Sequence, residues 1–182
     1  MAGPRHVLVL GGQRSGKSRY AEQLLAASGR RLVYLATATP GDGEMAARIA
    51  AHRARRGEGA WQTIEEPLDL PGALTGAANA DGAVLVDCLT LWLTNLMGAG
   101  RDVEGETGRL VAALANVAGA VAIVSNEVGS GIIPANDLAR RYADALGTLN
   151  QRVAEAVDTV VLIAAGMPLV LKPRQKQNEV TL

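Results

Sequence analysis

The residues best suited to chemistry lie near the start of the chain, in the segment Gly-Gly-Gln-Arg-Ser-Gly-Lys-Ser at positions 11–18. This segment matches the P-loop pattern G-x-x-x-x-G-K-[ST] at every fixed position, which assigns Lys17 to the β- and γ-phosphates and Ser18 to Mg²⁺. Residues 6–10 are apolar enough for a buried strand, and a helix is predicted directly after the loop. Free backbone N–H groups and the positive end of a helix dipole meet at such a junction. The sequence therefore predicts a nucleoside triphosphate site.

A second candidate is Asp87, which ends the apolar run at residues 82–87. An acid at the tip of a buried strand downstream of a P-loop is the Walker B arrangement, which holds Mg²⁺ together with the loop's Ser18. The alternative is that Asp87 caps the helix predicted to begin near Leu89. A P-loop needs such an acid, so we favour the metal role. The neighbouring Cys88 is interpreted as a small packed residue, because no histidine lies near it in the sequence.

A histidine on a basic helix is the third candidate. Residues 44–56 are predicted to be helical, and His52 shares one face with Arg48 and with Arg55 or Arg56. The arginine charges suit phosphate and keep an imidazole neutral and nucleophilic, able to attack an α-phosphate. A solvated basic helix with one surface histidine explains the same spacing, and from spacing alone it is the more probable interpretation.

Three further acidic residues are weaker candidates. Residues 125–131 end a predicted strand with polar groups and glycines, and Glu127 could position substrate or metal. An ordinary turn before a helix explains that segment equally well. Glu65 and Glu66 could contact a ribose or base edge, although solvation at the surface is the simpler expectation.

Composition narrows the class of protein. The 182 residues are 48% hydrophobic but only 3% aromatic, with no Phe, which predicts an aliphatic core. Lys+Arg and Asp+Glu number 18 each, and a formal net charge of zero with few stacking platforms argues against nucleic-acid binding. One cysteine excludes an internal disulfide, no apolar run reaches membrane-spanning length, and no signal peptide is recognised. We therefore expect a cytoplasmic protein.

The order of the elements predicts an α/β fold. Apolar, non-alternating strands alternate with helices, which indicates a mostly parallel sheet with helices on both faces. A single domain is expected over residues 1–182, with flexible tails at 1–5 and about 173–182 and a polar, disordered chain from Lys172 onward. Residues 98–102 are expected to form a flexible connection between two helices.

Taken together, these motifs resemble the bifunctional adenosylcobinamide kinase/adenosylcobinamide-phosphate guanylyltransferase family of cobalamin biosynthesis. The resemblance covers nearly the whole chain, from residue 8 to about 165. An ordered set of motifs carries it, and this set is far more specific than a P-loop alone; its members are residues 11–19, 34–38, 44–49, 52–53, 61–65, 87–96, 125–134 and 150–152.

The resemblance implies two reactions. One phosphorylates adenosylcobinamide with ATP or GTP, and the other transfers GMP from GTP to adenosylcobinamide phosphate, releasing pyrophosphate. It implies Mg²⁺, a P-loop NTPase fold of the RecA-like type, a homotrimer, and His52 as the histidine that carries GMP; the second histidine of some members is Ala51 here. The implied nucleotide contacts are Gly11, Gly12, Gln13, Arg14, Ser15, Gly16, Lys17, Ser18, Thr37, Ala38, Thr39, Arg53, Ala54, Arg55, Arg56, Glu65 and Asp87, with Lys17 also catalytic and with Ser18 and Asp87 on the metal.

Two other functions fit parts of the sequence. A P-loop small-molecule kinase would need the loop and Asp87 but would leave His52 on a solvated helix. A RecA-like nucleic-acid ATPase would need a basic surface, which the neutral charge argues against. Covalent labelling by α-labelled GTP separates the first two functions, and stimulation of hydrolysis by DNA or RNA identifies the third.

Overall fold

A single seven-stranded sheet forms the centre of the protein. The structure, a computed structural model, describes residues 6–39 and 59–173. Its strands are β1 (His6–Gly11), β2 (Arg31–Ala36), β3 (Trp61–Glu65), β4 (Gly82–Asp87), β5 (Ala120–Asn126), β6 (Thr159–Ala164) and β7 (Met167–Lys172). They lie in the order β3-β2-β4-β5-β1-β6-β7, and every neighbouring pair is parallel except β6 and β7. The carboxyl ends of β1, β2, β3, β4 and β5 therefore share one edge of the sheet.

Helices cover both faces of this sheet. They are α1 (Lys17–Ala26), α2 (Leu70–Ala77), α3 (Leu89–Gly98), α4 (Val103–Asn116) and α5 (Asp137–Ala156). Within the described ranges, α1 packs on one face through Ala21 and Leu25, and the other four helices contribute to a larger core on the opposite face. This agrees with the predicted parallel sheet covered on both faces.

The core is aliphatic, as the composition predicts. Alternate residues of β4 and β5 enter opposite clusters: Val84 and Ile123 face α3 and α5, whereas Leu85 and Val124 face α1. Two aromatic residues, Tyr34 and Trp92, are also buried in the described core. Trp92 is fully buried and donates from Nε1 to the carbonyl oxygen of Leu68 at 2.8 Å. That bond satisfies the indole N–H in the interior.

Helix starts differ in a way that matters for function. Asp69, Asp102 and Asn136 cap α2, α4 and α5, and each side chain accepts a backbone N–H of the first turn. Within the described chain, no side chain caps α1, and its first turn contains no acid. The first N–H groups of α1 are therefore left available to an external anion.

Two segments differ from the sequence prediction. The connection after α3 is not a flexible link: Ala99, Gly100 and Arg101 donate backbone hydrogen bonds to the last carbonyls of the helix and form an ordered helix end. Lys172 is not part of a disordered tail, because it ends β7. Its Nζ donates to the carbonyl oxygens at the carboxyl end of α5, those of Ala154, Glu155 and Val157, at 2.6–3.0 Å.

Some predictions lie outside the described residues. They include the helix at 44–56 and the tails at 1–5 and 174–182. No helix within residues 6–39 and 59–173 combines the length and apolar character needed to cross a membrane.

Candidate nucleotide site

The loop between β1 and α1 has the shape of a phosphate cradle. Gly11 ends β1 beside Asn126 of β5, and Gly16 turns the chain into α1 with φ of 99°. That left-handed conformation is one that glycine adopts without strain. The ammonium of Lys17 folds back over the loop and donates to the carbonyl oxygen of Gly12 at 3.1 Å. The loop thus combines uncapped backbone N–H groups with a positive charge, which suits phosphate oxygens.

Gly11 is required by the space around it. A Cβ at this position would lie 2.7 Å from the carbonyl oxygen of Ile163 and would collide with Oγ of Ser15. Gly12 differs, since no described atom lies within 4 Å of a Cβ built there. The first glycine of the motif therefore permits close packing of the loop against β6, whereas its neighbour is sterically free.

The turn between β6 and β7 supports the loop from the side. The backbone N–H of Gly166 donates to the carbonyl oxygen of Ser15 at 3.0 Å, and Gly166 itself has φ of 78°. Sequence reasoning missed this contact, because residues 15 and 166 are distant in the chain. The pair of positive-φ residues, Ala165 and Gly166, is the local signal of a tight turn there.

Asp87 lies two strands away from the loop, on the same face of the sheet as α1. Its Oδ2 accepts a 2.7 Å hydrogen bond from the hydroxyl of Tyr34. Asp87 is not the N-cap residue of α3: that position is Cys88, whose side chain makes no capping hydrogen bond. Tyr34 was not predicted as a functional residue, although its alternation along β2 places it on the Asp87 face.

Lys17 and Asp87 are close enough to interact electrostatically. Burial lowers the pKa of the Lys17 ammonium from its usual value, while Cys88 and Asp87 oppose that shift. The ammonium is thus partly withdrawn from water at the point where phosphate would lie. An anionic phosphate there would restore the preference for the charged form.

The segment after β2 has a structural role that its sequence did not reveal. Thr37 is fully buried; its hydroxyl donates to the carbonyl oxygen of Cys88 at 2.8 Å and accepts the N–H of the same residue at 2.9 Å. Nδ2 of Asn95, on α3, donates to the carbonyl oxygen of Thr37 at 2.7 Å. Ala38 is half-buried and Thr39 is exposed. Residues 37–39 are all predicted nucleotide contacts, but the Thr37 hydroxyl is already bonded to Cys88 and so fixes the end of β4.

Cys88 is a buried free thiol, as predicted for a packed residue. Burial raises its pKa to about 11, and the nearby carboxylate of Asp87 adds to the shift. At neutral pH the side chain is therefore a neutral thiol and a poor nucleophile.

The three weaker acidic candidates occupy different settings. Glu65 ends β3 and is exposed at the shared edge of the sheet. Oε1 of Glu66 accepts the N–H groups of Leu68 and Asp69 at 2.9 and 2.8 Å, so this carboxylate orders the turn before α2. Glu127 is also exposed, and its Oε1 accepts the N–H of Gly129 at 2.7 Å within its own loop.

The end of β5 is anchored by backbone contacts. The N–H of Asn126 donates to Oγ1 of Thr90 at 2.9 Å, and its carbonyl oxygen accepts from Nδ2 of Asn150 at 3.1 Å. The next N–H, that of Glu127, donates to the carbonyl oxygen of Gly11 at 3.1 Å. The tip of β5 is therefore fixed directly against the phosphate cradle.

The donors at this edge fit Mg²⁺ that arrives with a nucleotide. Within the described residues no group of three His, Cys, Asp or Glu side chains could hold a metal alone. Mg²⁺ commonly uses one or two protein oxygens together with water and substrate phosphates. Ser18, in the first turn of α1, and Asp87 are the residues that would supply such oxygens.

Other predicted site residues cannot be placed. His52, Arg53, Ala54, Arg55 and Arg56 all lie outside the described residues. Gln13 and Arg14 are exposed on the loop, and Arg14 has φ of 56°.

Known proteins resemble the chain over nearly its full length. The bifunctional adenosylcobalamin biosynthesis protein CobP of Pseudomonas aeruginosa is 50% identical over 167 residues, covering 91% of this chain and 96% of that protein. The bifunctional adenosylcobalamin biosynthesis proteins CobU of Salmonella typhimurium and Escherichia coli are each 38% identical over 181 residues, covering 91% of this chain and 99% of each relative.

Solved structures support the fold. The protein PH0250 of Pyrococcus horikoshii aligns with a TM-score of 0.55 at 11% identity, covering 95% of this chain and 88% of that one. The RadB recombinase aligns with a TM-score of 0.51 at 17% identity, covering 86% of this chain and 73% of the recombinase. Such neighbours confirm the predicted RecA-like P-loop architecture and carry no more than that. A family model described as cobinamide kinase / cobinamide phosphate guanyltransferase matches residues 7–171, and the chain belongs to that family, CobU.

Proposed function

We propose that this enzyme phosphorylates adenosylcobinamide with ATP or GTP and then transfers GMP from GTP to adenosylcobinamide phosphate. The family match over residues 7–171 carries the proposal. The cradle at Lys17 and the carboxylate of Asp87 at the same sheet edge support it, because both reactions displace an oxygen from phosphorus. Reactions of this kind depend on positioning and charge neutralisation more than on acid–base chemistry.

The kinase step uses the cradle for the β- and γ-phosphates. The hydroxyl oxygen of adenosylcobinamide bonds to the γ-phosphorus, and the bond from that phosphorus to the β,γ-bridging oxygen breaks. Lys17 and the uncapped N–H groups of α1 stabilise the charge on the phosphate oxygens. Mg²⁺, held by Ser18 and Asp87, would supply further neutralisation.

The guanylyl transfer uses His52 as a nucleophile. A ring nitrogen bonds to the α-phosphorus of GTP as pyrophosphate leaves, and a phosphate oxygen of adenosylcobinamide phosphate then displaces the histidine to give adenosylcobinamide-GDP. The proposed nucleotide contacts also include three basic residues, Arg53, Arg55 and Arg56. The others are Ala54, Glu65 and residues 37–39. In this step the loop holds the pyrophosphate leaving group.

Labelling by α-³²P-GTP tests the covalent step. With Mg²⁺, the protein should acquire an acid-labile, base-stable label, as expected of a phosphoramidate. His52→Ala should abolish the label. His6→Gln is the matched control, because His6 is the other histidine of the chain and lies at the start of β1, remote from the sheet edge that carries the site. An unlabelled wild-type protein that still phosphorylates adenosylcobinamide would support a simple P-loop kinase instead.

The setting of the enzyme is part of the proposal. We propose a single domain that works as a homotrimer in the cytoplasm, where ATP and GTP are supplied. Sedimentation equilibrium of the full chain measures the assembly, and a monomer at enzyme-assay concentrations would contradict it.

A further inference from the structure

The gap between the phosphate cradle and Asp87 is occupied by the end of β5. In the sheet order, β5 lies between β1 and β4, so the two groups are separated by two strand spacings, roughly 9 to 10 Å. Gly11 of β1 is in register with Asn126, while Asp87 of β4 is in register with Val124. Asn126 is thus the residue of β5 that projects furthest into the gap.

The Asn126 side chain lies on the face that carries the site. Ala122 and Val124 belong to the cluster packed under α1, and strand alternation puts Asn126 on that same face. Asp87 follows Ala83 and Leu85 of the same cluster, so it too is on this face. Lys17, at the start of α1, is close enough to Asp87 for their charges to interact.

The carboxamide is positioned but not fully bonded. Thr90 and Asn150 hold the backbone N–H and carbonyl of Asn126. Its Oδ1 is buried and has no hydrogen-bond partner among the residues of the described ranges. A buried acceptor without a donor is costly and is generally satisfied by another group. These two bonds hold the Asn126 backbone, and with it the start of the side chain, at the end of β5.

We propose that Asn126 contacts the substrates of the kinase step, an inference that rests on the proposed function. Its Nδ2 donates a hydrogen bond to the terminal phosphate, and its Oδ1 accepts a hydrogen bond from the attacking hydroxyl. The carboxamide suits both tasks, because a phosphate oxygen is an acceptor and a hydroxyl is a donor. It aligns the hydroxyl oxygen with the γ-phosphorus while the bond to the β,γ-bridging oxygen breaks. The hydroxyl proton passes to the transferred phosphoryl group, and Asn126 neither gains nor loses a proton.

The contact makes a selective prediction. Attack at the γ-phosphate involves Asn126, whereas attack by histidine at the α-phosphate occurs away from it. In Asn126→Ala, kcat for phosphorylation of adenosylcobinamide should fall about 100-fold, as expected on removal of a preorganised polar contact. The α-³²P-GTP label formed at saturating nucleotide should stay within about 3-fold of wild type. Asn126→Asp, which replaces the donor by a carboxylate facing phosphate, should be at least as impaired in the kinase step.

A binding measurement separates this inference from the proposed function. The dissociation constants of GDP and of the imido analogue of GTP are measured with Mg²⁺ by calorimetry. In Asn126→Ala the imido triphosphate should bind about 10-fold more weakly, as for loss of one charge-assisted hydrogen bond, while GDP binding is unchanged. This readout requires no corrinoid, so it stands even if the wild-type protein phosphorylates nothing.

Ser125→Ala is the matched control. Its hydroxyl is also buried without a partner in the described structure, but strand alternation puts it on the opposite face. Ser125→Ala should leave kcat for the kinase step and both dissociation constants within about 3-fold of wild type. Two results for Asn126→Ala would overturn the inference. One is that GDP and the imido triphosphate bind more weakly by the same factor; the other is that kinase activity and triphosphate binding both stay near wild type.

Discussion

The hydroxyl of Tyr34 donates a 2.7 Å hydrogen bond to Oδ2 of Asp87, across the parallel pair β2 and β4. The bond fixes the orientation of the carboxylate proposed to hold Mg²⁺. Groups that orient a metal ligand in this way commonly change metal affinity by 10- to 100-fold when removed.

Removal of that hydroxyl should therefore affect the metal requirement. In Tyr34→Phe, the Mg²⁺ concentration for half-maximal activity should rise about 10-fold, because Asp87 loses the contact that orients it. A Mg²⁺ titration at saturating GTP measures this. Tyr20→Phe, on α1, is the comparison variant that keeps Tyr34 intact. An unchanged Mg²⁺ requirement in Tyr34→Phe would show that Asp87 is oriented by other contacts.

The two glycines that open the loop should respond differently to a methyl group. Gly11→Ala introduces a Cβ within 2.7 Å of the Ile163 carbonyl oxygen, and overpacking of this kind costs roughly 1–3 kcal/mol. We expect a lower midpoint of thermal unfolding and weaker GTP binding. Gly12→Ala, which meets no described atom within 4 Å, should unfold close to the wild-type temperature. Equal unfolding temperatures for the two variants would contradict the packing argument.

Thr37 provides a test of the clamp at the end of β4. Thr37→Val removes the hydroxyl that pairs with both the N–H and the carbonyl of Cys88. The buried N–H is then left unsatisfied, whereas the carbonyl oxygen keeps its bond from the N–H of Trp92. The free energy of unfolding should fall by about 1–3 kcal/mol in urea titrations. Thr37→Ser keeps the hydroxyl and should lose much less. Equal free energies of unfolding for the two variants would show that the hydroxyl does not stabilise the fold. A direct nucleotide contact would then be the better explanation for a threonine at position 37.

The thiol of Cys88 should react slowly in the folded protein. With a pKa of about 11 against 9.0 for an unperturbed thiol, the thiolate fraction at pH 8 is about 100-fold lower in the native state than after unfolding. Reaction with a disulfide reagent in buffer and in urea measures the difference. Because the folded pKa is raised, the thiol's contribution to stability is complete below about pH 9 and is lost as pH rises through about 11. A native thiol as reactive as the unfolded one would contradict the assignment.

Local sequence patterns predicted the elements better than the contacts between them. The strand Gly82–Asp87 was predicted with its observed bounds, because a continuous apolar run ending in an acid has few other interpretations. The role of Thr37 is different: the family resemblance implies a nucleotide contact, but its hydroxyl turns inward to Cys88. Tyr34 and Asn126 acquire meaning only from sheet order, which brings together residues far apart in the chain.

The backbone bond from Gly166 to Ser15 links the phosphate cradle to the antiparallel edge of the sheet. Lys172, at the other end of β7, ties the same hairpin to the carboxyl end of α5. Amide groups in this hairpin should therefore exchange with deuterium in a common opening event with the loop. A bound triphosphate that closes the loop would slow exchange at an edge of the protein that the nucleotide does not touch.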